Sequence, residues 1–316
     1  VFTKGELMTS IRDLVDYTGF SAATISRVLN NHPHVAEETR ETILQAIREL
    51  DYRPSQMARD LSFGQTHRIG VVVQHTRHPY FTKMLEGMMD AAKESSYQLL
   101  LLPSDDYDDQ KESAYLEMLA GRAIDGLIFS SRALAISKIE PYADYAPIVL
   151  LEPVDSTSPL SSTYSQRSTA YVALFTRLKE MNLKRIALLF SRNSKASATY
   201  QMTLSAFEQV YEEKPVLSVG HVDSHHEVSE GLRESLKKAK PQAILATSDE
   251  VAAYLIKYYQ DKEALLIIGQ ENQSISQILD FPTIDHHAYE LGKCAFRQAI
   301  SPTKQERPFT SKLIWR

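Results

Sequence analysis

Residues 10–30 read Ser10-Ile-Arg-Asp-Leu-Val-Asp-Tyr-Thr-Gly-Phe-Ser21 and then Ala22-Ala-Thr-Ile-Ser-Arg-Val-Leu-Asn30. Ile11, Leu14 and Val15 fall at i, i+3 and i+4, the spacing of one apolar helix face. Gly19 interrupts that pattern and supplies the backbone freedom of a tight turn. Ser21 stands where an N-cap belongs, ahead of a second helix with Ile25, Val28 and Leu29 on one side. A third helix is expected with Ile43, Leu44, Ile47 and Leu50 inward and Glu41, Gln45, Arg48 and Glu49 outward, closed by Pro54. Three helices with nothing strand-like between them predict a small all-α unit built on a helix-turn-helix.

The chemistry of the second helix suits a DNA major groove. With Ser21 as the cap, Ala22 and Ala23 face outward and Arg27 lies over the same surface. Arg27 has the reach to donate two hydrogen bonds to a guanine edge, and alanine methyls meet thymine methyls. Ser21 joins Thr9, Ser10, Thr24, Ser26 and Asn30 as small polar groups for the phosphate backbone. A helical hairpin whose arginine is merely solvated fits the same residues.

Beyond Thr66 the period changes. Short apolar runs at Ile69–Val73, Gln98–Leu102, Gly126–Phe129, Ile148–Leu151, Arg185–Phe190, Val216–Val219, Ala243–Ala246 and Leu265–Ile268 alternate with amphipathic stretches. That alternation is the signature of βαβ units with parallel sheets covered on both faces. Eight strands exceed one small sheet, so two doubly wound subdomains are expected. The polar stretch Val154–Arg167, with seven Ser and Thr, is the expected crossing between them. Thr283–Trp315 repeats a strand–helix–strand pattern and is expected to return to the first.

Composition narrows the function. The chain has 316 residues, 43% hydrophobic, with a formal net charge of −5 and a pI near 6.1. That balance argues against a protein that coats nucleic acid through bulk charge. Residues 1–68 carry eight basic and nine acidic side chains, so the head itself has no basic excess. The 11 glycines are about half the usual share of roughly 7%, and no GxGxxG or GxxxxGK[ST] string occurs. One cysteine, Cys294, excludes a disulfide framework and a Cys-based zinc site, and it is expected to pack on an amphipathic helix. No GxSxG turn suggests an enzyme. His225-His226 and His286-His287 lack metal-ligand spacing, so neither a metal nor a catalytic residue is assigned. No apolar run approaches the roughly 20 residues of a membrane span, and a cytoplasmic protein is expected. Val1–Leu7 read as an extension upstream of Met8.

The head resembles the lactose/galactose repressor family of bacterial transcription factors. The likeness runs through Ser10–Ser21, Ala23–Asn31, Glu38–Glu41 and Leu50–Pro54, and continues through Met57–Leu61 and Arg68–Val71. It implies a helix-turn-helix head over 8–53 and a hinge helix or linker over 54–66. It implies an effector domain of two parallel-sheet subdomains, 67–158 with 282–307 and 159–281 with 308–316. It implies further DNA contacts from Tyr52, Ser55 and Ala58, with Leu61 wedged into the minor groove when two hinge helices pair. A short helix without a core is marginal in water, and on the residues alone a flexible linker whose Leu61 packs on the body is the favoured reading of 54–64. Asp60 stands where a small polar residue is usual in the family.

The resemblance also implies a small-molecule cleft at the carboxyl ends of the strands. His75, Tyr80, Phe81, Ser130, Arg132, Tyr200, Met202, Ser224, Ser248, Glu271 and His286 are the expected effector contacts. An arginine usual on the first helix of the second subdomain is replaced near Tyr200, Met202 and Thr203, and Ser224 replaces an aromatic. Aromatic platforms with carboxylates and amides suit a sugar or sugar phosphate, with no other cofactor. The expected protein is a homodimeric, sequence-specific regulator on pseudo-palindromic double-stranded DNA. Ligand would change the angle between subdomains and either part the hinges and release DNA or, as a co-repressor, tighten its hold. A sugar-binding module that no longer reads DNA, or a regulator answering to a protein co-repressor, would carry the same altered pocket and acidic head.

Overall fold

The computed structural model describes residues 9–53, 60, 64–74, 78–104, 108–191, 197–220, 222, 229–259 and 265–316. The chain divides into two compact units, residues 1–66 and 67–316.

The first unit holds α1 (Ile11–Thr18), α2 (Ala22–Leu29) and α3 (Glu37–Glu49). Ser10 caps α1 reciprocally with Asp13: the Ser10 N–H donates to Asp13 Oδ2 at 2.7 Å, and the Asp13 N–H to Ser10 Oγ. Gly19 ends α1 in the left-handed region at φ +74, its N–H donating to the Val15 carbonyl at 2.8 Å. Nothing crowds a side chain there, so the turn asks for glycine through its dihedral alone. Leu14, Ile25, Val28, Ile43, Ala46 and Tyr52 form the core. Burying each large member stabilises by roughly 1.5–3 kcal/mol. The Thr9 hydroxyl donates to the Leu50 carbonyl at 2.9 Å, which ties the start of α1 to the end of α3. Leu44, expected inward, is 38% exposed. The inward row is Ile43, Ala46, Ile47 and Leu50, and Leu44 stands one step of about 100° around the helix from Ile43.

In the second unit the first sheet runs β11-β5-β4-β3-β1-β2, all parallel. Its strands are β1 (Arg68–Val73), β2 (Gln98–Pro103), β3 (Gly126–Phe129), β4 (Ile148–Leu150), β5 (Ser161–Gln166) and β11 (Glu306–Thr310). The second sheet runs β7-β6-β8-β9, also parallel, with β6 (Ile186–Leu189), β7 (Leu217–Val219), β8 (Ala243–Leu245) and β9 (Leu266–Ile268). β10 (Thr283–Asp285) pairs antiparallel with β12 (Lys312–Ile314). Around the first sheet lie α4 (Pro79–Lys93), α5 (Asp109–Ala120), the short α6 (Ile136–Ile139) and α12 (Ala288–Ala299). With the second go α7 (Ser168–Glu180), α8 (Ala198–Tyr211), α9 (Glu230–Ala239), α10 (Asp249–Tyr258) and α11 (Ser274–Ile278). Among the described residues no helix is long and apolar enough to cross a membrane.

The subdomain limits differ from the expected ones in three places. The polar stretch expected as the first crossing contains β5, which lies between β4 and β11, so the chain leaves the first sheet after Gln166 rather than near 158. Thr283–Asp285 and Lys312–Ile314 pair with each other outside the first sheet, while Glu306–Thr310 belongs to it. Residues 282–285 therefore leave the first subdomain and 308–310 join it. The cause is the side-chain chemistry of β5: Ser161, Ser162 and Thr163 are buried, yet they are not apolar. Thr163 Oγ1 donates to the Arg307 carbonyl at 2.9 Å, and Ser161 Oγ accepts the Gln305 N–H at 3.2 Å. Hydroxyls that bond the neighbouring backbone are compatible with a buried strand, and hydropathy does not reveal it.

Candidate nucleic-acid interface and ligand cleft

Ile25 and Val28 point α2 into the core, and this leaves Ser21, Ala22, Ala23, Arg27 and Asn30 exposed, with Thr24 and Ser26 half-buried beside them. Ser21 Oγ accepts the Thr24 N–H at 3.2 Å, so the first turn is fixed. α1 carries Asp13 in its first turn and α3 carries Glu37 and Glu38, while α2 carries no acid there. The positive end of the α2 dipole is thus left uncovered for anionic groups. Arg40 is occupied, donating to Asn31 Oδ1 at 3.2 Å and to the His32 carbonyl at 2.7 Å. No hydrogen bond or ion pair engages the Arg27 guanidinium among the described residues. Ser10 is exposed, but its hydroxyl is spent on Asp13 at 2.8 Å. Tyr52, expected at the DNA, is 9% exposed and packs in the core of the head. Ser55, Ala58 and Leu61 lie outside the described residues, as do His75, Ser224, His225 and His226.

The cleft residues of the second unit fall into two groups. Several expected contacts are satisfied within the protein. Ser130 Oγ donates to the Val72 carbonyl at 2.7 Å. Arg132 pairs with Glu152 and donates to the Leu134 carbonyl at 2.5 Å. Ser248 is 1% exposed and caps α10 through the Val251 N–H at 3.3 Å. Met202 packs on the core of the second sheet. His286, 2% exposed, lies 2.9 Å from Ser311 Oγ through Nδ1 and 3.1 Å from Gln270 Oε1 through Nε2. An amide oxygen only accepts, so Nε2 carries the proton and Nδ1 accepts the Ser311 hydroxyl. Tyr171 donates to the same Gln270 oxygen at 2.9 Å. Each of these polar side chains therefore has a partner within the protein.

The second group lies where the two subdomains meet. Tyr80 and Phe81 meet edge-to-face at 5.5 Å at the start of α4, and Phe190 packs on Tyr200 at 4.6 Å in the second subdomain. Between them stands Arg167, the residue before α7. Its guanidinium lies 5.8 Å from the Tyr80 ring centroid, and Nη1 lies 3.3 Å from Thr199 Oγ1. Glu271 Oε1 is 3.3 Å from His78 Nδ1, a contact that also joins the two subdomains. The Glu271 side chain is 6% exposed, and among the described residues Oε2 has no hydrogen-bond partner. Burial, reinforced by Asp249, raises the Glu271 carboxyl well above the usual carboxylate range, against the pull of Arg167. Glu271 takes φ +98, a conformation costing on the order of 1–3 kcal/mol that persists only where its surroundings hold it. Asp249 is wholly buried, its oxygens taken by Thr283 Oγ1 and the Gln273 N–H, each at 2.6 Å. Burial pushes its carboxyl up to about 6, with those hydrogen bonds opposing. Reasoning from sequence missed Arg167 and Tyr171 as members of this region. An arginine between a strand and a helix at a subdomain crossing was the available signal.

Both units match families of known proteins. Residues 10–55 match the family described as bacterial regulatory proteins, lacI family, and residues 66–302 match periplasmic binding proteins and sugar binding domain of LacI family. The chain is 35% identical to catabolite control protein B of Bacillus subtilis (strain 168), over 92% of this chain and 93% of that one. Its fold is similar to the Lac repressor bound to ONPG in the repressed state, with a TM-score of 0.80 and 19% identity over 98% of each chain. It is also similar to a LacI family transcriptional regulator from Enterococcus faecium with bound ribose, with a TM-score of 0.66 and 17% identity, covering 79% of this chain and 97% of that one.

Proposed function

The chain belongs to the LacI family of bacterial regulatory proteins, a DNA-binding transcriptional regulator, and from that membership we propose that it represses genes of carbohydrate uptake or use as a cytoplasmic homodimer. The observation that carries the reading is α2: capped at Ser21, without an acid in its first turn, and presenting Ala22, Ala23 and an unengaged Arg27 on one exposed face. A small sugar in the cleft between subdomains controls it, which the aromatic walls at Tyr80, Phe81, Phe190 and Tyr200 support. Binding, not catalysis, is its activity, as the regulator relatives support. Dimerisation is supported by exposed apolar side chains on two elements that pack together: Tyr254 and Tyr258 of α10, and Ile278 and Leu279 at the end of α11. A ligand that prefers one subdomain angle changes DNA affinity by its difference in affinity between the two states.

Selection of bound sites from a random-sequence duplex pool tests this. The wild type is expected to enrich a two-fold symmetric sequence. Arg27→Ala is expected to relax preference at one position per half-site, by about 1–3 kcal/mol. Uniform weakening on every sequence would make Arg27 a phosphate contact, and no enriched sequence would remove the DNA-reading assignment.

A further inference from the structure

The second unit opens at His67, whose φ of +54 lies in the left-handed region that disfavours a side chain. Other non-glycine residues with positive φ, such as Arg122, Glu212 and Lys240, follow the end of a helix, where that conformation is ordinary. His67 instead stands directly before β1. Gly64, three residues earlier, also takes a left-handed conformation at φ +67, so the chain enters the body through two such turns. A residue held in a costly conformation persists only where its surroundings over-determine it.

Those surroundings come from both neighbours of β1 in the sheet. The His67 N–H donates to Asp125 Oδ2 at 2.7 Å, in the turn that leads into β3. Its carbonyl accepts the Gln98 N–H at 2.8 Å, at the start of β2. The ring meets that of Tyr97 edge-on at 5.2 Å, and Nδ1 lies 3.2 Å from Ser96 Oγ, both in the turn from α4 to β2. Glycine would take this dihedral without strain. What the imidazole adds is contact with Ser96 and Tyr97, at the point where residues 54–66 join the body.

We propose that His67 is a positioning residue for DNA binding: held by Asp125, Ser96 and Tyr97, it fixes the direction in which residues 54–66 leave the body, and so the half-site spacing that two heads span. The proposal rests on the homodimer reading above and deepens it. In a dimer the second head binds intramolecularly, at an effective concentration set by the length and stiffness of its connection. A connection that leaves each body in one direction concentrates the heads on one spacing, and one that swivels at its root spreads them over several. Base pairs inserted between half-sites both shift and rotate one of them, so spacing reads this direction.

The test is the DNA affinity of the full chain on the two-fold sequence enriched from the random pool, on versions with base pairs inserted between its half-sites, and on a single half-site. The melting temperature of each variant is measured alongside. The wild type is expected to favour one spacing over its neighbours by about tenfold or more. His67→Gly keeps the dihedral and removes the ring. It is expected to lower that preference by about threefold or more, with single half-site affinity and melting temperature close to wild type. His67→Asn is expected to recover most of the preference, because asparagine tolerates positive φ and places a polar atom where Nδ1 stands. Asp125→Ala is expected to relax spacing as His67→Gly does. An unchanged spacing profile in both His67→Gly and Asp125→Ala overturns the proposal and leaves the homodimer reading standing. Equal weakening on one half-site and on two does the same, since it marks a residue that serves stability alone. If the wild type binds a single half-site as tightly as the two-fold sequence, the homodimer reading fails and the proposal fails with it.

Discussion

His286 lies between Ser311 and Gln270, and burial, with the nearby charges of Arg167 and His287, holds its imidazole well below the usual histidine range. In the unfolded chain the same ring takes a proton near pH 6.5. The unfolded state therefore binds more protons below that pH, and stability falls as the pH drops through it. Going from pH 7.5 to 5.5, this one group is expected to cost the wild type about 1–1.5 kcal/mol. Urea unfolding of wild type and His286→Gln at both pH values checks it: the difference between the proteins should shrink on acidification, and a constant difference would show that His286 does not titrate on unfolding. The sequence placed His286 near the cleft but could not assign its partners, since Ser311 and Gln270 are 25 and 16 residues away. Ser130 is similar, its hydroxyl bonded to a carbonyl 58 residues back. Tyr80, Phe81 and Glu271 were named from the sequence, and the structure sets Tyr80 against Phe81 at 5.5 Å and Glu271 beside His78.

Among the elements, α4 and α12 cross most closely, and glycine decides how closely. A Cβ at Gly87 would sit 2.0 Å from the Tyr289 carbonyl oxygen, and one at Gly292 would sit 1.9 Å from that of Met84. Backbone cannot yield as a side-chain tip does, so Gly87→Ala must push the helices apart. It is expected to destabilise by about 1–3 kcal/mol despite the gain in helix propensity. Gly231 in α9 has nothing within 4 Å of its added Cβ and is exposed. Gly231→Ala is expected to stabilise by up to about 1 kcal/mol. Thermal unfolding of the two variants reads the contrast, and the same sign in both would defeat the packing argument. Such close approaches are invisible in sequence, because the helices are some 200 residues apart along the chain, as the Tyr289 to Asp90 hydrogen bond at a separation of 199 shows. β5 was hidden for another reason: its buried face is serine and threonine. The apolar strands β1, β3, β6 and β8 and the capped head helices were readable from periodicity and local caps alone.

For the whole molecule, the net charge of −5 bears on how DNA is bound. The acids of α3, Glu37, Glu38, Glu41 and Glu49, are exposed, and Tyr17 fixes Glu49 with a hydrogen bond of 2.6 Å. Arg40 is tied to the loop after α2 and Arg53 lies near Asp51, so few cations of the head remain for phosphate. In the proposed dimer, affinity then rests on directed contacts from α2 and on pairing of two heads. Each neutralised phosphate contributes about −0.9 to the slope of log affinity against log salt. The measurement that decides the central claim is footprinting on the DNA upstream of the protein's own coding sequence, repeated across a salt series. The account predicts protection of a pseudo-palindromic site, with a slope corresponding to fewer than about six phosphates per dimer. Absence of protection at every salt concentration would contradict sequence-specific binding, and a steep slope without sequence preference would contradict directed reading by α2.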